Sequence, residues 1–296
     1  MELPLKGAFL QISNTVADAS DVDLWGESIS EMKRLKMDLI IIQTEAYLDA
    51  GGTRNAVARG YINTALKRAE DLEMKVWIGL VFPQDCVGST ECVKNEERFK
   101  DIISQSKHSA DLIWNEWGTR QSFDGFYLPS EGWTPQAKDE LGYLTKYLIE
   151  VSEHCRTKSD RLQIATSPFI SNPTPDQSGI TEEVYKNFLG DTFLTVLMLQ
   201  DGVGGNNIPL DVVPAYMKAM KKACDDAGIE MWANIEAYVG SKAATFERVQ
   251  KQIAAARQVT DKLVTFEFFK FWSHFSTTAG ANKLNDSYYQ RYILNE

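Results

Sequence analysis

The chain has 296 residues, a formal net charge of −10, a pI near 5.0 and 44% hydrophobic residues. That is too long for a minimal domain and apolar enough for a large core. The acidic balance argues against a nucleic-acid backbone as partner and, more weakly, against a polyanionic substrate. No apolar run reaches the length of a membrane span.

Strand-like and helix-like patterns alternate along the whole chain. The first strand spans Gly7 to Ile12, and the first helix runs from about Val22 to Leu35, with Trp25, Ile29, Met32 and Leu35 at helical spacing. The second strand, Leu39 to Thr44, is apolar and β-branched and delivers Gln43 and Glu45. A helix over Ala56 to Leu72, a strand over Lys75 to Phe82 and a long helix over Asn95 to Trp117 follow. The stretch SFDGFYLPSEGW, Ser122 to Trp133, opens on an Asp-Gly turn, runs through Phe126-Tyr127-Leu128 and stops at Pro129, presenting Glu131 and Trp133 in a loop.

Thr134 and Pro135 are suited to cap and begin a fourth helix with Leu141, Leu144, Leu148 and Val151 as its seam. The remaining strands are Leu162 to Thr166, Phe193 to Leu199, Glu230 to Ile235 and Leu263 to Phe271. The remaining helices are Thr181 to Leu189, Val213 to Ala227, Thr245 to Val259 and Ser287 to Leu294. Eight strands and eight helices in unbroken alternation predict an α/β chain forming one domain over residues 1–296, a closed (β/α)8 TIM barrel. A doubly wound open sheet competes, but the first turn reads ISNTVADAS where that fold carries G-x-G-x-x-G.

In such a barrel the active site forms where strands end. Those ends supply Gln11, Gln43, Glu45, Glu131, Gln200, Asp201, Asn234, Glu236 and Glu267, accompanied by Tyr47, Tyr127, Trp133, Tyr238 and Trp272. Amides, carboxylates and flat rings suit a carbohydrate: hydroxyls pair with polar groups and pyranose faces lie on aromatic rings. Two carboxyl groups across one cleft can cleave a glycosidic bond. Glu131 is assigned as general acid/base and Glu236 as nucleophile or base, with the other strand-end residues as substrate ligands. Each has a structural alternative: a helix cap, an ion pair or loop packing.

The three histidines, His108, His154 and His274, form no metal-binding motif, so neither a metal nor a cofactor is expected. A non-hydrolytic aldolase or isomerase would need Lys270, or a metal held by Glu45, Asp201 and Glu236. A non-catalytic glycan-binding barrel is the other alternative. Cys86, Cys92, Cys155 and Cys224 contain no C-x-x-C pair. Free thiols are the favoured reading, with a Cys86–Cys92 bridge as the alternative in an oxidising compartment.

FDGFYLPSE resembles the FDGxDxDxE pattern of glycoside hydrolase family 18. Asp124, Gly125 and Glu131 match, while Tyr127 and Pro129 replace the two intervening aspartates. Pro129 cannot assist an acetamido group, which argues against substrate-assisted catalysis. GAFLQ at Gln11, LIIIQTE at Gln43, LPSE at Glu131, LQDGVG at Asp201 and WANIEAY at Glu236 together resemble the domain of unknown function 4434 family. That resemblance covers most of the chain and implies a glycoside-hydrolase-like barrel with a carbohydrate-active role. Its members are often exported to the periplasm or cell surface. The amino-terminal MELPLKG lacks a secretion signal's basic and apolar regions, so the chain is read as exported with its signal removed, or as cytoplasmic.

Overall fold

The computed structural model describes residues 5–12, 21–86, 88–135, 137–171, 173 and 178–294. Residues 13–20 of the first turn, and 172 and 174–177 of the loop after the fifth strand, lie outside that set.

Eight parallel strands close into a barrel: β1 (Gly7–Leu10), β2 (Leu39–Ile42), β3 (Lys75–Gly79), β4 (Phe123–Leu128), β5 (Gln163–Thr166), β6 (Val196–Gln200), β7 (Glu230–Glu236) and β8 (Leu263–Phe266). Closure is direct. β1 pairs with β2 through Ala8 and Ile40 and with β8 through Ala8 and Thr265. The open-sheet alternative is thereby excluded. The helices are α1 (Asp21–Arg34), α2 (Arg59–Asp71), α3 (Glu96–Trp117), α4 (Tyr143–Arg156), α5 (Ser178–Leu189), α6 (Val213–Ala227), α7 (Phe246–Ala256), α8 (Phe268–Phe271) and α9 (Ala281–Tyr288).

Helix ends follow local chemistry. The Asn95 side chain accepts the Arg98 N–H to start α3, and Thr245 does the same for Arg248 at α7. Gly228 in the left-handed region ends α6. Element boundaries differ from the sequence reading where local chemistry intervenes. Helix α4 begins at Tyr143, because the chain turns between 137 and 142 and enters the helix through Gly142 at φ 46°. Strand β8 stops at Phe266, because Glu267 caps α8 with its own carboxylate. The last helix begins at Ala281 and passes into a π-turn at Tyr289–Leu294. The predicted third strand divides: Val81–Pro83 leaves the barrel and pairs with Ala46–Leu48, which also pairs with Arg54–Ala56.

Strand alternation decides what fills the barrel. Phe9, Ile41, Trp77, Tyr127, Met198 and Trp232 are inward and buried, and each fully buried large side chain contributes about 1.5–3 kcal/mol. Toward the C-terminal ends the inward set turns polar, at Gln43, Ser167, Gln200, Asn234 and Glu236. A second cluster packs the outer strand faces against the helices.

On one side the sheet continues above the barrel mouth. Phe169 bridges Trp133 and Gln200 in parallel register. The Phe169 N–H donates to Gly132 O at 3.0 Å, the Thr134 N–H to Phe169 O at 2.9 Å, and the Gln200 N–H to Pro168 O at 2.8 Å.

Cys86 and Cys92 form a disulfide, which corrects the expectation of free thiols for that pair. Cys92 opens a short 3-10 helix, Cys92–Lys94, and the two Cα atoms lie 5.3 Å apart, within bridging range. Cys155 and Cys224 are free and buried.

Candidate active site

Pro129 ends the β4 ladder, and the chain turns so that Glu131 lies half-buried over the barrel mouth. Its carboxylate is held at both oxygens. The Tyr127 hydroxyl donates to Oε1 at 2.8 Å and Gln200 Nε2 donates to Oε2 at 3.0 Å. Gln200 is itself fixed by donating to the Ser167 carbonyl at 2.7 Å. Enclosure pushes the Glu131 carboxyl up to about 7, against the lowering effect of Gln200 and Tyr127.

Glu236 ends β7 and is 2% exposed. Its Oε2 accepts the N–H of Gly204 at 2.8 Å and of Gly205 at 2.5 Å. Glycine is required there: a Cβ at 204 would lie 2.6 Å from the Tyr238 carbonyl oxygen, and one at 205 would lie 2.8 Å from the Tyr238 hydroxyl. Burial, then the neighbouring Asp201 charge, pushes Glu236 up to about 8, opposed by the two glycine N–H groups. The charge on Glu131 adds to the upward push. Burial, then the charges on Glu236, Glu131 and Asp201, raises the Tyr238 phenol, so all four groups share one electrostatic neighbourhood.

Asp201 acts beneath this surface. Its Oδ1 accepts the Val203 N–H at 3.1 Å and the Glu236 N–H at 3.4 Å, and its Oδ2 accepts Gln252 Nε2 at 2.7 Å. It is 1% exposed and, through burial, pushed up to about 6. Asp201, expected among the substrate ligands, is thus engaged with the glycine loop, the end of β7 and α7.

Other expected residues divide. Gln11, Gln43, Gln200, Asn234, Tyr127 and Tyr238 gather around the mouth. Tyr238 is half-buried and stacks on Phe271 at 5.0 Å. Glu45 does not join them. It pairs with Arg54 Nη2 at 2.5 Å, accepts the Ser109 hydroxyl, and lines a crevice with Ile62, Ile113 and Trp117 of α2 and α3. The reason is that the chain leaves the barrel after β2 to form the small outer sheet.

Glu267 is 2% exposed and accepts the N–H groups of Gln11, Phe269 and Lys270 at 3.1, 3.1 and 2.8 Å. It is a helix cap, raised by burial to about 7. Trp272 is fully buried edge-on to Tyr288 at 5.4 Å, and Trp133 is 4% exposed and packs on Phe169 at 6.4 Å. Neither offers a ring face. The half-buried rings near the mouth are Tyr238, Phe266 and Phe169.

The non-hydrolytic alternative loses its parts. Lys270 is exposed with its ammonium over the Phe271 ring, and Glu45 cannot meet Asp201 and Glu236 around a metal. Among the described residues, one group has metal-ligand spacing, Asp85 with Cys86 and Cys92, and its thiols are joined in the disulfide.

A family model described as a domain of unknown function (DUF4434) matches residues 5–276. The chain belongs to the DUF4434 family. No protein of curated function matches it. Among solved structures, a putative alpha-L-fucosidase from Bacteroides thetaiotaomicron superposes on this DUF4434 chain with a TM-score of 0.81 at 22% identity, covering 99% of this chain and 94% of the other. An intracellular xylanase from Thermoanaerobacterium saccharolyticum gives a TM-score of 0.53 at 8% identity over 91% and 89% of the two chains. A GH18 chitinase from Pseudoalteromonas aurantia gives 0.54 at 12% identity over 88% and 93%. At such identities the likeness establishes a shared barrel fold.

Sequence reasoning missed two residues of this DUF4434 site. Arg248 Nη2 donates to the carbonyl oxygens of Glu236 at 2.8 Å and Tyr238 at 2.7 Å. Gln252 Nε2 donates to Asp201 and, at 3.1 Å, to the Glu236 carbonyl. They lie one turn apart on the inner face of α7, where an Arg and a Gln resemble solvated helix residues.

Proposed function

We propose that this DUF4434 protein hydrolyses a glycosidic bond in an oligo- or polysaccharide, with Glu131 as general acid/base and Glu236 as nucleophile or base. One observation carries the reading. Two enclosed carboxyl groups at the ends of β4 and β7 are both pushed toward neutrality, and each acid's charge bears on the site they share. The active form in this reading carries the proton on Glu131, whose raised carboxyl holds it near neutral pH, and the anion on Glu236, where the Gly204 and Gly205 N–H groups stabilise it. In this scheme Glu131, steadied by Tyr127 and Gln200, protonates the departing glycosidic oxygen. Glu236, whose Oε2 is held by two backbone N–H groups, directs Oε1 at the anomeric carbon or at a water beside it. The barrel likeness to structures described as a xylanase, a chitinase and a putative fucosidase supports the choice of substrate class.

One observation favours a second reading, a non-catalytic glycan-binding barrel: Glu236 is 2% exposed beneath Gly204 and Gly205. The two separate on a panel of aryl glycosides and plant and host glycans. The hydrolase reading expects turnover that Glu131→Gln and Glu236→Gln each reduce by at least about a thousandfold while glycan binding persists. Undiminished turnover in Glu131→Gln refutes its assignment. Glycan binding by the unmodified chain without any turnover selects the binding barrel.

A further inference from the structure

Among the described residues, two buried amide oxygens in the barrel mouth have no hydrogen-bond partner: Gln43 Oε1 and Asn234 Oδ1. Gln43 is 5% exposed and Asn234 1% exposed. Both side chains project inward. The Gln43 N–H continues the β2 ladder to Leu10 O at 3.0 Å, so the alternation that turns Ile41 into the barrel turns Gln43 the same way. Asn234 Nδ2 reaches across β6 to the Ser167 hydroxyl of the segment after β5, at 3.1 Å, a contact possible only inside the barrel.

A buried acceptor without a donor is costly, and native proteins retain few of them. Asn234 lies in register with Gln200 and two residues before Glu236 on the same inward strand face, and Gln43 follows β2 on its inward face. The chemistry they call for is a donor that arrives with a ligand. The guanidinium nearest this region, Arg248, has its Nη2 on two backbone carbonyls. The layer therefore offers amide, hydroxyl and carboxyl groups. Among the described groups of this layer an anionic ring finds no cation to offset the loss of its hydration.

We propose that Gln43 and Asn234 form the floor of a subsite for an uncharged, hydroxyl-bearing sugar ring, each amide oxygen accepting one ring hydroxyl. The apolar flank is supplied by Phe266 and Tyr238, half-buried rings 6.2 Å apart. The inference rests on the carbohydrate part of the function proposed above and not on its hydrolytic part. It adds two specificity-determining residues and excludes uronates.

The test is ligand-observed NMR titration of the whole chain with D-galactose, L-fucose and D-xylose, and with D-glucuronate as the anionic control, alongside thermal melting. At least one neutral sugar is expected to bind about tenfold or more tighter than glucuronate. Gln43→Met and Asn234→Ala are each expected to weaken it by about tenfold or more. The melting temperature of Gln43→Met is expected to hold or rise, because the substitution removes an unpaired buried amide oxygen at nearly constant volume. A structural role for Gln43 predicts a fall instead. Unchanged affinity in both variants, equal binding of glucuronate, loss of stability together with affinity in Gln43→Met, or no sugar bound at all overturns the proposal. Should Asn234→Ala fail to fold, Gln43→Met decides it. A chain that binds a neutral sugar through these residues but cleaves no glycoside removes the hydrolase reading and leaves the subsite standing.

Discussion

Replacing Glu131 by Gln tests the electrostatics of the site without requiring a substrate. Gln keeps the side chain's shape: its oxygen can accept from Gln200, and its amide can donate to the Tyr127 hydroxyl, which turns to accept. Only the titration disappears. The carboxyl rises from 4.5 when free to about 7 in the fold. A folded-state pKa above the unfolded one means that the stabilising contribution is complete below about 4.5 and is lost as pH rises through about 7. At about 1.4 kcal/mol per unit, the full loss is about 3 kcal/mol. Solvent at this half-buried carboxylate screens part of that, leaving about 2 kcal/mol. With an unfolding entropy of about 2 cal/mol/K per residue, this amounts to about 3 °C in melting temperature. The assay is calorimetric or circular-dichroism melting of both proteins from pH 5 to pH 8.5. The variant's advantage over the unmodified chain should grow by that amount as pH rises. A difference flat across the range would refute an enclosed, proton-holding Glu131.

Arg248→Met removes the cation that interacts with both Asp201 and Glu236, and two bonds to backbone carbonyls; it should cost about 2–3 kcal/mol in denaturant unfolding and, through Glu236, move the acid limb of any kcat/KM profile to higher pH. Arg54→Met strands the buried Glu45 carboxylate and should cost about 2–4 kcal/mol while leaving glycan affinity unchanged, as titration of the folded variant would check. Reduction of the Cys86–Cys92 bridge, which closes a loop of sequence separation 6, should cost about 2 kcal/mol, read as the melting difference with and without dithiothreitol. A change larger than twice that would mean that the bridge supports more than its own loop.

The barrel was legible because strand and helix periods alternate without interruption, and closure follows from eight such units. The inward amides and acids were legible for the same reason: Gln200 and Glu236 fall on the inward parity of strands whose earlier inward residues, Met198 and Trp232, are apolar. Parity fails once a strand stops being a strand. Glu45 would face the mouth if β2 continued, but the chain leaves for the outer sheet and carries the carboxylate to Arg54. Trp133 and Trp272 show a different limit, since an indole beside a strand end reads alike whether it greets a ligand or packs on Phe169 or Tyr288. Arg248 and Gln252 were hidden because their partners are backbone carbonyls and a carboxylate contributed by another strand, which no helical periodicity records.

The short ribbon at Phe169 ties Trp133 to Gln200 through paired backbone rather than through loops. Glu131, two residues before one end of that ribbon, and Gln200, at the other, are thus mounted on a single stiff parapet. Under the function proposed above, a sugar entering along this side meets hydrogen-bonded backbone, so selection there works by fit.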